Sequence, residues 1–260
     1  MVPPHSLEME MSEDRSAMAT AQQLARPALP KRFYKAATVA PHAEGFAVVL
    51  DGRPTRTPAR RHLAVPQEAL ARALAAEWEA QADEIDPARM PLTRLVNSAI
   101  DRVSGEMEAV REDIVRHAGS DLVLYRAEGP ESLIAAEERL WGPVLAASEA
   151  ALGARFALAG GIVHVAQAPE TLEAVRRALA GDDPLRLAAI HSMTTLTGSA
   201  LIALAFGRGE IGAKEAWAAA HADEDWQAER WGRDAEASAQ RDRRWEEMRA
   251  AALVLDATRA

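Results

Sequence analysis

The 260-residue sequence contains no cysteine. Disulfides, thiolate nucleophiles and Cys-based zinc or iron–sulfur sites are therefore excluded. That fits a reducing compartment. There is also no uninterrupted apolar run of about 18 residues, the length a membrane-spanning helix needs. The nearest stretch, Leu196 to Phe206, is too short and reads as a core helix. A basic excess is missing as well: the net charge is −9. That argues against nucleic acid and against anionic membranes, and leaves room for a basic or mixed-charge protein partner.

Catalytic signatures are equally scarce. Gly207-Arg208-Gly209 follows a helix and lacks the Gly-Lys-Ser/Thr ending of a phosphate loop, and Gly160-Gly161 lacks the rest of any dinucleotide fingerprint. Both read as caps or turns. None of the seven histidines (His5, His42, His62, His117, His164, His191, His221) pairs with another at helical ligand spacing. His117 has Asp113 four residues before it and Asp121 four after, but Asp121 lies past Gly119 in another element, so no metal is expected. Gly-x-Ser-x-Gly is absent, and Thr197-Gly198-Ser199-Ala200 reads as a mid-helix run of small residues that lets helices pack closely. No catalytic residue and no cofactor is expected from these patterns.

What is present is a normal globular mix, 48% hydrophobic and 27% charged, in a chain long enough for one large domain or two small ones. Residues 1–30 are rich in Ala, Met, Glu, Ser and Pro, without the apolar run of a secretory signal. Glu8, Glu10, Glu13 and Asp14 do not suit an organelle transit peptide. This stretch reads as a disordered tail, with Met9 or Met11 as alternative starts. Strands are expected at Gly45–Leu50, then, after the Asp51-Gly52 turn, at Arg53–Pro58 and Leu63–Val65. Pro66 opens a helix whose Leu70, Leu74 and Trp78 share one face, so Trp78 is expected in the core. Further helices are expected at 92–103, 106–117, 130–152, 171–180, 184–206, 213–231 and 233–255. A strand is expected at Asp121–Arg126, and a brief extended piece at Gly160–Val165. The fold class is α+β: a small antiparallel β-containing N-terminal domain followed by a mainly α-helical C-terminal domain.

The most distinctive segment runs from Asp223 to Glu236, where acids, Trp226, Trp231, Gln227 and Arg230 crowd one helix. Tryptophan is costly to leave in water and carboxylates are costly to bury. On a continuous helix Trp217, Glu224, Ala228 and Trp231 share a stripe with His221 at its edge, which places Glu224 between two tryptophans and facing inward. Asp223, Gln227, Arg230 and Asp234 share a neighbouring face. The acids are then either locked in hydrogen-bonded pairs that orient two helices, which is the plainer reading, or held at a binding groove. A small-molecule enzyme using Glu224, His221 and Asp223 as acid–base groups is the alternative function.

An ordered set of motifs runs along the chain: Arg32-Phe33-Tyr34-Lys35, Leu50-Asp51-Gly52-Arg53 with Thr57-Pro58, Glu77-Trp78-Glu79-Ala80-Gln81 and Met90-Pro91-Leu92-Thr93. Asp121-Leu122-Val123-Leu124-Tyr125-Arg126, Trp141-Gly142-Pro143 and the segment from Asp223-Glu224 to Ala237 complete the set. In this order the motifs resemble a known family, the chaperone that assists assembly of the catalytic head of F-type ATP synthase by holding the free alpha subunit. The resemblance spans roughly residues 31 to 255. It implies an α+β region (31–125), a helical region (126–260), no enzymatic activity and no cofactor. It also implies that an acid of the Asp223-Glu224 step matters for function. Asp223, Glu224, Trp226, Gln227, Arg230 and Trp231 are then the expected partner-binding residues, and Trp78, Trp141 and Asp234 the expected structural ones. The expected partner is the ATP synthase alpha subunit, with no nucleic acid and no membrane insertion. Eukaryotic members act in mitochondria; without a transit peptide, a monomer in a bacterial cytoplasm is expected here.

Overall fold

The computed structural model describes residues 28–232 and 234–259. The tail expected over 1–30 therefore lies, but for its last three residues, outside the described residues, as does Arg233. Residues 28–33 and Gln81–Asp86 form a small unit. In it Lys31 bridges antiparallel to Glu84, Ile85 N donates to Pro30 O at 2.8 Å, and the Arg32 guanidinium donates to Gln81 O. The larger unit holds Tyr34–Ala80 and the chain from Pro87 onward.

Within the larger unit a small antiparallel sheet is built around β2 (Gly45–Leu50). β1 (Ala37–His42) pairs along its whole length, from Ala37↔Leu50 to His42↔Gly45. The opposite edge of β2 takes β3 (Arg53–Pro54) and β4 (Ala64–Val65). Being central, β2 is buried over Ala47–Leu50. β1 is missing from the sequence reading, because Ala37–His42 carries Pro41 and no clean alternation. The long return strand expected at Arg53–Pro58 shrinks to two residues plus an Arg56↔His62 bridge, since its prolines cannot donate to a ladder. At the β1–β2 turn Gly45 has φ +115°, and a Cβ there would fall 2.4 Å from Val65 O, so only glycine fits.

α1 (Glu68–Glu79) lays Leu70 and Leu74 on this sheet. Its last turn carries the Glu77-Trp78-Glu79 motif, and each residue of it holds a joint. Glu77 accepts from Leu92 N at 2.8 Å and Thr93 N at 2.7 Å, so it caps α2 (Pro91–Asp101) from a neighbouring helix. Burial raises its pKa against those two donors. The Tyr34 hydroxyl donates to Trp78 O at 2.5 Å with the two rings 5.9 Å apart, and Glu79 accepts from Ala37 N at 2.7 Å. Glu77→Ala should cost about 1–2 kcal/mol in urea unfolding, the usual loss for an emptied helix cap.

The helical part follows: α3 (Met107–Ala118), α4 (Glu131–Leu152), α5 (Pro169–Leu179), α6 (Pro184–Thr197), α7 (Ala200–Arg208), α8 (Ala213–Ala220), α9 (Ala222–Trp231) and α10 (Ala235–Ala257). The core gathers on α6 and α7, where Leu187, Ile190, Met193, Leu201 and Ile202 are fully buried. Two expected helices are each broken in two. Gly198 takes φ +69° and ends α6, and Ser199 caps α7 by accepting from Ile202 N at 3.0 Å, so the Thr197–Ala200 run is a corner and not a mid-helix stretch. The other break falls at His221 (φ −122°, ψ 23°), between α8 and α9.

The strand expected at Asp121–Arg126 is a 3₁₀ turn over Leu122–Leu124 that runs into the two-residue β5 (Tyr125–Arg126). β5 pairs in parallel with β6 (Ala159–Gly160). The turn forms because Asp121 bends the chain. Its carboxyl accepts from Val123 N at 3.2 Å within the turn and from Leu201 N at 3.0 Å at the start of α7. The architecture is α+β, a small antiparallel sheet near the N-terminus followed by helices.

Candidate functional site

α9 begins with Ala222, the one residue of the helix that is fully buried, and then sets three acids in its first turn, where the helix dipole favours negative charge. The break at His221 resets the helical phase, so the stripe that would join Trp217 to Trp231 does not exist. Trp217 belongs to α8. It lies 4.0 Å from the His221 ring and 5.2 Å from Trp245 of α10. Glu224 faces solvent instead of the interior, with its side chain 61% exposed, and Trp231 is 74% exposed. Asp225 is tied to Arg241 of α10 by two bonds, at 2.6 and 2.8 Å.

Trp226 and Arg230 turn the other way, onto α4. Both bond Ser132 Oγ, at 3.3 and 2.8 Å, and the Arg230 guanidinium lies 3.7 Å from the centre of the Trp226 ring. Trp231 meets Trp226 edge-on at 5.7 Å. Between α9 and α10 runs a cleft of about 340 Å³ whose lining includes Glu224, Gln227, Trp231, Arg241 and Arg244. Asp234 opens α10 by accepting from Ala237 N at 2.9 Å. Trp141 of α4 is 1% exposed and donates to Ala219 O at 2.7 Å, which ties α4 to α8.

The three groups of the acid–base alternative point to different places. His221 is buried, and burial depresses its pKa, so it stays neutral with Nδ1–H donating to Trp217 O at 2.8 Å. Its Nε2 lies 3.9 Å from Glu224, beyond hydrogen-bond range. Asp223 faces Glu137, a 3% exposed residue of α4 that sequence patterns did not single out. Burial raises the pKa of both carboxyl groups, and each sits within hydrogen-bonding reach of the other. Among the described residues no cluster of three or more His, Asp or Glu is placed to hold a metal.

A second exposed feature escaped the sequence reading. Leu158, Ile162, Val163 and Val165 are 49%, 96%, 70% and 37% exposed around β6. The loop is pinned at its base, where Gln167 accepts from Ala157 N at 2.8 Å and donates to Ala157 O at 2.9 Å, and near its tip, where Tyr125 Oη meets His164 at 3.0 Å. The sequence reads here as a brief extended piece and gives no sign of exposure; among the described residues nothing covers Ile162 and Val163.

The sequence profile of the ATP12 chaperone protein family matches residues 31–149. A putative chaperone from Agrobacterium tumefaciens superposes with a TM-score of 0.84 at 47% identity, over 90% of this chain and 92% of that one. Atp12 from Paracoccus denitrificans superposes at 0.81 with 41% identity, over 88% and 99%. The chain belongs to the ATP12 chaperone family. The mitochondrial atp12 protein of Schizosaccharomyces pombe is 25% identical over 214 residues, covering 78% of this chain and 74% of that protein. ATP12 proteins are chaperones of ATP synthase assembly and not enzymes, which sets the acid–base alternative aside. No helix among the described residues is long and apolar enough to cross a membrane.

Proposed function

We propose that this ATP12 chain binds the free alpha subunit of F-type ATP synthase and shields a surface that the beta subunit later covers. The contact is assigned to the exposed face of α9: Glu224, Gln227 and Trp231, with Asp223, Trp226 and Arg230 shaping it from below. One observation carries the reading. Trp231 stands 74% exposed beside the exposed Glu224, at a cleft that is open among the described residues. An exposed tryptophan next to acids suits a client that offers apolar surface rimmed by basic charge. The chain's net charge of −9 favours the same encounter.

Passive holding fits the chemistry of the site. An unassembled subunit exposes apolar surface that aggregates, and a holder must bind it well enough to cover it and loosely enough to be displaced. The helical part, residues 126–260, makes the contact, with the α+β part, 31–125, supporting it. The chaperone works as a monomer in a bacterial cytoplasm, which is consistent with its relatives in Agrobacterium and Paracoccus. The pinned Ile162–Val163 loop offers a second apolar patch to the client. Replacing both residues by Asp should leave the fold unchanged, since neither is buried, and weaken holding about tenfold in a light-scattering assay of alpha-subunit aggregation. Deleting the gene should leave alpha and beta subunits unassembled; normal levels of assembled ATP synthase in such a strain contradict the proposal.

A further inference from the structure

Glu137 sits in the second turn of α4 with almost no contact with water, and among the described residues no cation is bonded to it directly. One of its oxygens accepts from Ala127 N at 2.9 Å. Across the α4–α9 contact stands Asp223, whose Oδ1 is buried and has no donor in reach. Ionised carboxylates only accept hydrogen bonds. Two of them in contact attract each other when one proton lies between them and repel when it is gone.

The surrounding charges do not offer a substitute. Arg126 of β5 favours the ionised form of Glu137 without bonding it: one terminal nitrogen donates to Glu138 at 3.2 Å, its buried Nε has no partner, and the guanidinium lies 5.5 Å from the centre of the Trp141 ring. Glu224, on α9 itself, opposes ionisation of Asp223. Burial acts in the same direction on both members of the pair.

We propose that Glu137 is a positioning residue for the α9 binding face: it shares one proton with Asp223, and that O–H···O bond docks the first turn of α9 onto α4. The inference rests on the reading of α9 as the client-binding face. Farther along the helix Trp226 and Arg230 hold Ser132, so the shared proton decides whether the N-terminal end of α9 lies flat on α4 or lifts away. Loss of the proton to solvent leaves two charges facing each other, and α9 tilts with Trp231 and Glu224 on it. The sign follows from the chemistry: docking is complete while the pair keeps its proton and weakens as pH rises past the pair's raised range.

The test uses the full chain as wild type, Glu137→Gln and Trp231→Ala. Two readouts are followed from the lowest pH at which the protein stays folded up to alkaline pH: the indole N–H resonance of Trp226, which reports its bond to Ser132, and capture of purified alpha subunit. In the wild type the Trp226 resonance titrates and capture falls with pH, by at most about tenfold per pH unit, the limit for one linked proton. In Glu137→Gln the amide donates to the Asp223 carboxylate at every pH, so the resonance stays still and the ratio of variant to wild-type capture rises with pH. Asp223→Asn abolishes the Trp226 titration too, which guards against a folding defect peculiar to one variant. A Glu137→Gln profile that matches the wild type in both readouts overturns the inference. Trp231→Ala separates the two readings: if it captures the client as well as wild type, the α9 face is not the contact, while the Trp226 titration still decides the pair.

Discussion

The double variant Glu224→Lys/Trp231→Ala should fold as the wild type does and lose at least about tenfold in affinity for the alpha subunit. Neither side chain holds the fold. Glu224 makes no bond closer than the 3.9 Å approach to His221, and Trp231 keeps 74% of its surface in water and touches the fold chiefly through the Trp226 ring. Removing them therefore changes the melting temperature little. At an interface the arithmetic differs. A large aromatic that becomes fully covered is a typical hot spot, with truncation costing roughly 2 kcal/mol or more, and reversing a neighbouring charge adds repulsion against a basic client. Isothermal titration against purified alpha subunit measures the loss, and a thermal melt of the same sample shows that the fold survived. Arg241→Ala is the useful companion. It removes the Asp225–Arg241 bridge between α9 and α10, so it should lower stability by on the order of 1 kcal/mol and weaken capture less than the double variant does.

The largest effect on stability is expected at Asp121. This residue has no exposed surface, and its carboxyl serves the 3₁₀ turn before β5 and the first turn of α7 together. Asp121→Ala strands those buried N–H groups and leaves a void, a loss on the order of 3–5 kcal/mol in urea unfolding. Desolvation pushes the Asp121 pKa from 3.8 up to about 6. Between those two values the folded chain holds a proton that the unfolded chain has released, so stability falls as pH rises through the window. The contribution is fully present below 3.8 and gone above about 6; the span corresponds to roughly 3 kcal/mol. Asp121→Asn does not titrate at this position, so its unfolding free energy should decline less steeply than that of the wild type over this window, the difference being the Asp121 contribution. Parallel slopes for the two proteins from pH 4 to pH 6 contradict this account.

Periodicity made much of the fold legible. The Leu70/Leu74 stripe placed α1, and the Asp51-Gly52 step placed the end of β2. The break at Gly198-Ser199 has a local signal, a glycine able to take positive φ followed by a capping serine, but the apolar residues that run across it mask that signal in the sequence. The break at His221 had no such mark: Ala-Ala-His-Ala-Asp contains neither glycine nor proline. The chain bends there because His221 is drawn into the interior, bonded to Trp217 and packed on its ring, which is a tertiary event. That one break turned the inward stripe through Glu224 and Trp231 into an exposed face.

The site was legible as composition and illegible as geometry. The cluster of acids, tryptophans, Gln227 and Arg230 stood out at once, yet no spacing rule joins Asp223 to Glu137 or Trp226 to Ser132, because those partners sit on a helix far back in the chain. The bare Ile162–Val163 loop failed for the opposite reason. Its residues mark a brief extended piece and nothing more, and exposure depends on what the rest of the chain leaves open.

The central claim is that α9 grips an unassembled subunit by direct contact. Titrating the purified full-length protein with separately purified alpha and beta subunits tests it most directly. Saturable one-to-one binding to alpha, no binding to beta, and loss of the alpha complex in Glu224→Lys/Trp231→Ala are the predicted results. Undiminished alpha binding by that folded double variant, or no alpha binding by the wild type, would contradict the account.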